Sequence, residues 1–506
     1  MGKKYWYIIG VILILAVAVL SYSMFNSETV GLKTLSINKP IKETFLETRD
    51  YSGSWMKIYG SGENYRSGSG LAMGDFNNDG FSDVAIGTGV AYKNQVAVFL
   101  GAENYNPAPG GYLTTDADFL ITLPATQNNW LGFSLAAGDF NGDNKDDLLI
   151  GEIHADPHGA SSGKVYVFYG RDSYQNQYDL STLGVPNDQV GLVLGPSAGA
   201  KLGFDLAAGD VNGDGIDDLI LGAHGVNSQT GAVYVVHGSG NSINVDLAVS
   251  SADFTITGES TNSQTGYSLA TGDFNWDGVD DILIGAPMFQ NNAGKSYVVY
   301  GRINQAGSIS LLSDANIYIE SPLGTSFKNG YSVAAGDING DGFDDLIIGL
   351  PYWVNPIRLG DGHGAVFVIN GWARNPEIEP FVRNWDSADV KLDGYLNRKY
   401  LGTQVASGDI NGDGFDDIII EAPGGSAGGI PHLYYTFGFN TPDDINRALT
   451  DIEGELVGDG LVNNWDNLEV GDFDGDGTDE IVWGIESADS NNFYNNGAVY
   501  IYKNSP

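Results

Sequence analysis

Seven times along the chain, carboxylate and carboxamide side chains gather at one fixed spacing. The first such stretch is Asp75-Phe-Asn-Asn-Asp-Gly-Phe-Ser-Asp83, and the others open at Asp139, Asp210, Asp273, Asp337, Asp409 and Asp472. Counted as nine positions, each stretch has Asp at position 1. Position 3 is Asn77, Asn141, Asn212, Asn275, Asn339 and Asn411, then Asp474 in the seventh copy. Position 5 is Asp79, Asp143, Asp214, Asp277, Asp341, Asp413 and Asp476. Position 9 is Asp83, Asp147, Asp218, Asp281, Asp345 and Asp417, then Glu480. Position 7 adds a backbone carbonyl, from Phe81, Lys145, Ile216, Val279, Phe343, Phe415 and Thr478. Together these supply the six to eight hard oxygens at roughly 2.3–2.6 Å that calcium takes. Asp, Asn and Gly also make good turns. Turn chemistry alone does not demand the same types at positions 1, 3, 5 and 9 in every copy, so up to seven calcium ions are expected.

Position 6 has to turn the chain sharply and is Gly in every copy but the second, where Asn144 is the next best residue for a left-handed backbone. Position 8 is Asp except for Ser82 in the first copy, and so reads as dispensable. An EF-hand would place a bidentate Glu at position 12. Here that position holds Ile86, Ile150, Leu221, Ile284, Ile348, Ile420 and Trp483, inside an apolar run. These are calcium loops joining two strands. Magnesium, with its rigid octahedral demand, fits so long a loop poorly.

The loops recur 63–72 residues apart, too long for a helical hairpin repeat and suited to a four-stranded blade. The fourth unit displays the strands: Asp253-Phe-Thr-Ile-Thr alternates, Asp281-Ile-Leu-Ile-Gly leaves the loop, and Lys295-Ser-Tyr-Val-Val-Tyr follows a Gly-rich turn. No segment of helical period follows residue 50. The expected fold is all-β, a seven-bladed β-propeller of four-stranded blades over residues 51–506. The last unit lacks an outer strand, and Trp55–Tyr59 is the spare strand that would close the ring against Gly497–Tyr502.

The chain has 506 residues, a formal net charge of −40 and no cysteine. The charge argues against nucleic acid, and the missing thiols exclude disulfides and thiolate metal sites. Lys3 and Lys4 precede the uncharged run Tyr5–Phe25, which suits either one N-terminal hydrophobic helix anchoring the chain or a cleaved signal peptide. Either makes the remainder extracytoplasmic, with residues 26–50 as a linker.

The units resemble the FG-GAP repeats of integrin α-subunit propellers. Leu131-Gly-Phe-Ser-Leu-Ala-Ala-Gly-Asp139 and Leu202-Gly-Phe-Asp-Leu-Ala-Ala-Gly-Asp210 match the first half of the pattern, and Gly285-Ala-Pro287 matches the second. Gly349-Leu-Pro351 and Glu421-Ala-Pro423 match in part. The aromatic is lost in the first, sixth and seventh repeats (Ser69, Thr403, Asp466), and Trp465 replaces the glycine in the seventh. The resemblance implies calcium loops on one face and variable loops on the other. It leads to a free-standing propeller on an N-terminal anchor, without the family's heterodimer partner.

The variable face would carry Trp130, Phe289, Tyr352, Trp353, Arg358, Phe493 and Tyr494, the composition of a surface for an extracellular protein or polysaccharide. The competing arrangement folds several of these rings back over the rim. An adhesion or ligand-binding module is the first expectation, and a surface hydrolase or lyase acting on polysaccharide is the alternative. For the latter, His154-Ala-Asp-Pro-His158 has spacing for a transition metal, with His224 and His363 in equivalent loops. Gly424-Gly-Ser-Ala-Gly428 imitates a nucleophile elbow but lies in a Gly-rich loop. No catalytic residue is assigned.

Overall fold

The computed structural model describes residues 48–49, 56–61, 65–89, 93–103, 111–124, 129–302, 306–321, 325–354, 364–372, 381–384, 388–394, 400–423, 431–438, 447–448, 454–457, 467–486, 488 and 497–503. The expected N-terminal helix over 1–25 lies outside them, and no helix among them is long and apolar enough to cross a membrane. Residues 46–506 form one compact unit, an all-β propeller of seven blades.

Blade 4 shows the plan. Ser268–Gly272, Asp281–Ala286, Lys295–Val299 and Ile317–Glu320 run antiparallel from the axis outward. The second strand is buried along its whole length, because a neighbouring blade covers each of its faces. That is why it reads as a continuous Ile-Leu-Ile run rather than an alternation. The outer strand alternates buried and half-buried residues, one face on the core and one toward solvent. Core clusters lie between blades: Leu219, Leu221 and Val236 of blade 3 join Leu149, Val165 and Val167 of blade 2. Burying each such side chain contributes about 1.5–3 kcal/mol.

The glycines of the repeat are explained at these blade contacts. A Cβ on Gly87 would fall 1.9 Å from the carbonyl oxygen of Gly132, itself at φ +76°. The same pairing recurs at Gly151 with Gly203, Gly222 with Gly266, Gly285 with Gly330, Gly349 with Gly402 and Gly484 with Gly68. Only between blades 6 and 7 does the sequence change both partners, to Glu421 and Trp465. The first glycine closes one blade's second strand and the second opens the next blade's inner strand, so losing one removes the reason for the other.

The ring closes as the sequence suggests: Met56–Tyr59 pairs antiparallel with Ala498–Tyr502, in register from Met56 opposite Ile501 to Tyr59 opposite Ala498. Trp55 is outside the described residues. The blades, however, have five strands, not four. The segment entering each outer strand first lies parallel along the outer edge of the preceding blade, as Gly307–Ser310 does on Phe254–Thr257. These added strands cover edges that would otherwise offer unpaired backbone groups. One of them, Thr48–Arg49 on Gly454–Val457, falls within the stretch expected to be linker.

Candidate functional site

Each acidic loop joins the innermost strand of a blade to its second, and its own carboxylates shape it. Asp75 Oδ1 accepts the N–H of Asp79 at 3.0 Å and Asp75 Oδ2 that of Gly80 at 2.8 Å. Asp79 Oδ1 accepts the N–H of Phe81 at 3.1 Å. Gly80 stands at φ +90°, and Asn144, its counterpart in the second loop, at +63°. The turn residues sit where the sequence needs them.

Position 9 carries the electrostatic demand. Asp83, Asp147, Asp218, Asp281, Asp345, Asp417 and Glu480 are all 0% exposed. In the first six loops one oxygen accepts the N–H of the glycine after the third strand, at 2.7–2.9 Å (Gly101, Gly170, Gly238, Gly301, Gly371, Gly438). Burial pushes these carboxyls up, to about 8 for Asp83, Asp147, Asp281 and Asp345 and to about 7 for Asp218 and Asp417. Among the described residues no basic side chain pairs with these six aspartates. A buried carboxylate without a counter-charge is costly, and a cation between positions 1, 3, 5 and 9 removes the cost. In loops 2 to 6 the position 3 amide donates to position 9, as Asn275 Nδ2 does to Asp281 at 2.8 Å, while the buried Asn275 Oδ1 has no partner. Turning that amide over presents Oδ1 to the same spot. The residues fit calcium.

Loop 7 differs. Asp472, Asp474 and Asp476 bring carboxylate oxygens within 4.8 Å of one another. Lys503 reaches into the cluster and donates to Asp474 Oδ2 and, at 2.6 Å, to Asp476 Oδ2, with Glu480 Oε1 at 3.8 Å. The hydrogen bond from Lys503 holds the Asp476 carboxyl below its ordinary range.

Position 8, which the sequence reading set aside, bonds one loop to another. Asp146 Oδ2 accepts the N–H of Asp75, in the preceding loop, at 2.8 Å, and the Asp146 N–H donates to the Asp75 carbonyl at 3.0 Å. Asp217, Asp280, Asp344, Asp416 and Asp479 repeat the reciprocal pair with Asp139, Asp210, Asp273, Asp337 and Asp409. Ser82 has no carboxylate to offer and keeps only the backbone arm, its N–H on the Asp472 carbonyl at 3.0 Å. Position 7 side chains also bridge loops. Phe343 lies 5.3 Å from the exposed Trp276, and the Phe415 ring leaves no room for a side chain at Gly340.

On the opposite face the expected aromatic set divides. Phe289 and Trp353 are 5% and 3% exposed, so they are core residues and not a surface. Phe289 opens a tight turn whose next three residues, Gln290, Asn291 and Asn292, have positive φ, and Trp353 packs on Phe327 and Phe367. Arg358, Phe493 and Tyr494 lie outside the described residues, as do His363 and Gly424–Gly428. Trp130 and Tyr352 belong to an arc the sequence did not reveal. It runs Trp130, Phe133, Phe204, Tyr267, Tyr331 with centroids 4.9–5.8 Å apart, then through Lys328 to Tyr352 and Tyr400. The arc borders an axial cavity of about 170 Å³ lined also by Asp205 and Glu469. Burial raises Asp205 to about 7, and burial together with the Asp205 charge raises Glu469 to about 8. The histidines are held apart: His154 on Ser161 and Trp130, His158 on the Gly195 carbonyl and Asp246, and His224 buried against Phe204.

A family profile described as FG-GAP repeat matches residues 67–99, 131–168, 202–236, 265–299, 329–369, 401–434 and 464–502. The phosphatidylinositol-glycan-specific phospholipase D of Bos taurus is 26% identical over 395 residues, 72% of this chain and 44% of that protein. Integrin alpha-PS2 of Drosophila melanogaster is 31% identical over 179 residues, 34% of this chain and 12% of its own. A solved chain described as "Structure of Dos1 propeller" covers 85% of this chain and 76% of its own, at 11% identity and a TM-score of 0.39. The matched stretch spans less than half the length of each curated relative named here.

Proposed function

The chain belongs to the FG-GAP repeat family, and from that premise we propose that it is an extracytoplasmic, membrane-anchored, calcium-binding propeller. In this reading it offers the face opposite its acidic loops to a protein or polysaccharide ligand at the cell surface. Positions 1, 3, 5 and 9 would hold the calcium, which supplies counter-charge and rigidity rather than chemistry. The anchor is the role proposed for Tyr5–Phe25. The observation that carries the ligand reading is the aromatic arc around the axial cavity, where rings from blades 2 to 6 meet and two carboxylates stand behind them. Similarity to integrin α-subunits supports a cell-surface role. The test is a glycan and protein array probed with the calcium-loaded chain. Trp130→Ala and Tyr352→Ala should then weaken any hit by about thirtyfold, the loss of roughly 2 kcal/mol expected of a central anchor, with unchanged metal content. Normal binding by both variants sinks the assignment to this face.

A second reading draws on the relative named as a phospholipase D. Under it the chain is a surface hydrolase or lyase, and the propeller is its scaffold. Product released from polysaccharide or a glycosylated phosphatidylinositol by the calcium-loaded chain would favour that reading over pure binding.

A further inference from the structure

We propose that the Lys503 ammonium is the resident cation of the seventh acidic loop, so that calcium enters the other loops and is kept out of this one. The inference rests on the calcium reading of the loops and adds to it a difference among them. Three departures coincide in loop 7. Position 3 is Asp474 instead of Asn, position 9 is Glu480 instead of Asp, and the residue after the third strand is Lys503. At that last position the other six blades carry Leu100, Tyr169, His237, Tyr300, Asn370 and Phe437, none of them a lysine or arginine.

The geometry joins the three changes. Glu480 keeps one oxygen on the Phe473 N–H at 2.9 Å, the bond that Asp83 makes to Phe76. Its other oxygen faces Lys503 at 3.8 Å. Asp474, only 9% exposed at its side chain, and Asp476 receive the ammonium directly. Calcium would need oxygens of both aspartates at roughly 2.3–2.6 Å. The ammonium already holds the Oδ2 of each and sets its charge in the same cluster, so calcium would have to displace it. The extra carboxylate at position 3 is matched by one added positive charge, which leaves loop 7 with the net charge of loops 3 to 6. A lysine is a compact point charge with three donors, suited to replace a metal among carboxylates.

The experiment counts calcium per chain by native mass spectrometry after equilibration in millimolar calcium. Asp476→Asn should leave the count unchanged, whereas Asp413→Asn in loop 6 should lower it by one. Lys503→Met should raise it by one. A loss of one ion in Asp476→Asn, or no gain in a folded Lys503→Met, overturns the inference while leaving calcium binding intact. If Lys503→Met does not fold, the two aspartate variants decide alone. A wild-type chain with no bound calcium overturns this inference and the calcium reading together.

Discussion

On the acidic-loop face every blade presents a position 9 carboxylate that is 0% exposed. On the opposite face the blades differ. Trp130 and Phe133 open blade 2, Phe204 blade 3, Tyr267 blade 4 and Tyr331 blade 5, while Ser69 and Thr403 stand at the corresponding places of blades 1 and 6. The difference teaches where each job can sit. The reciprocal bonds between positions 1 and 8 tie loops 1 to 7 in series, with only the backbone arm between loops 7 and 1, so the acidic face works as a belt with one weak link and tolerates little variation. The opposite face is free of that belt and can encode one ligand.

The harshest way to break the comparison is to open the ring that both faces share. Deleting residues 51–60 removes Met56–Tyr59 and leaves Ala498–Tyr502 with one unpaired edge. Buried Ile58 also disappears from the core between blades 7 and 1. Size-exclusion chromatography should show loss of soluble monomer, because an exposed apolar edge strand templates association. A monomer that melts as sharply as the full chain would contradict this role for the strand.

Calcium removal comes next and should act through the acidic face alone. Each filled site adds about 1.4 kcal/mol when free calcium is tenfold above its Kd. Stripping several sites with EGTA should lower the melting temperature on the order of 10 °C. An unchanged melting temperature after exhaustive chelation would mean that the loops are turns and not metal sites.

How much of this was legible in the sequence follows from the distance over which each residue acts. The polar pattern at positions 1, 3, 5 and 9 declares itself within nine residues, and the long apolar second strands declare the blades. Position 8 does not, because the N–H that Asp146 serves is 71 residues away. The fifth strands are two to four residues long, as at Gly111–Tyr112, and carry no period to detect. Phe289 and Trp353 look exposed because their loops are rich in Gly and Asn. Their burial depends on the neighbouring strands' side chains, such as Phe367 against Trp353. The Lys503 signal was present as three coincident departures, but its meaning needed the carboxylates to be placed around it.

The belt itself can be sharpened at its weak link. Blade 1 lacks the side-chain arm that the other blades extend, since Ser82 stands where they have Asp. Ser82→Asp should add the missing bond to the Asp472 N–H and stabilise the chain by about 1 kcal/mol. Asp280→Ala should cost about 1–3 kcal/mol, because it strips the Asp210 N–H of the acceptor now 3.0 Å away. Urea unfolding in saturating calcium measures both. If Ser82→Asp destabilises and Asp280→Ala is neutral, position 8 is ornament, as the first repeat alone would suggest.

The smallest effect belongs to the axial cavity and probes the other face. Asp205 and Glu469 are raised to about 7 and about 8, above the ordinary 3.8 and 4.5 that they regain on unfolding. Between those limits the folded chain therefore holds protons that the unfolded chain has released, and stability falls as pH rises. The contribution of the pair is complete below about pH 4 and is lost as pH climbs through 7–8. Asp205 Oδ2 also accepts the Leu269 N–H at 2.7 Å, and the Tyr267 and Tyr331 side chains line the same cavity, so neutral isosteres are the cleanest probe. With calcium saturating, which keeps the acidic loops ionised throughout, the wild-type urea midpoint should be higher at pH 5.5 than at pH 8. In Asp205→Asn with Glu469→Gln that difference should shrink, because no charge then has to be carried into the cavity at high pH. An equal slope in wild type and double variant would place the pH response on the metal face instead, and the two faces would not be electrostatically separate.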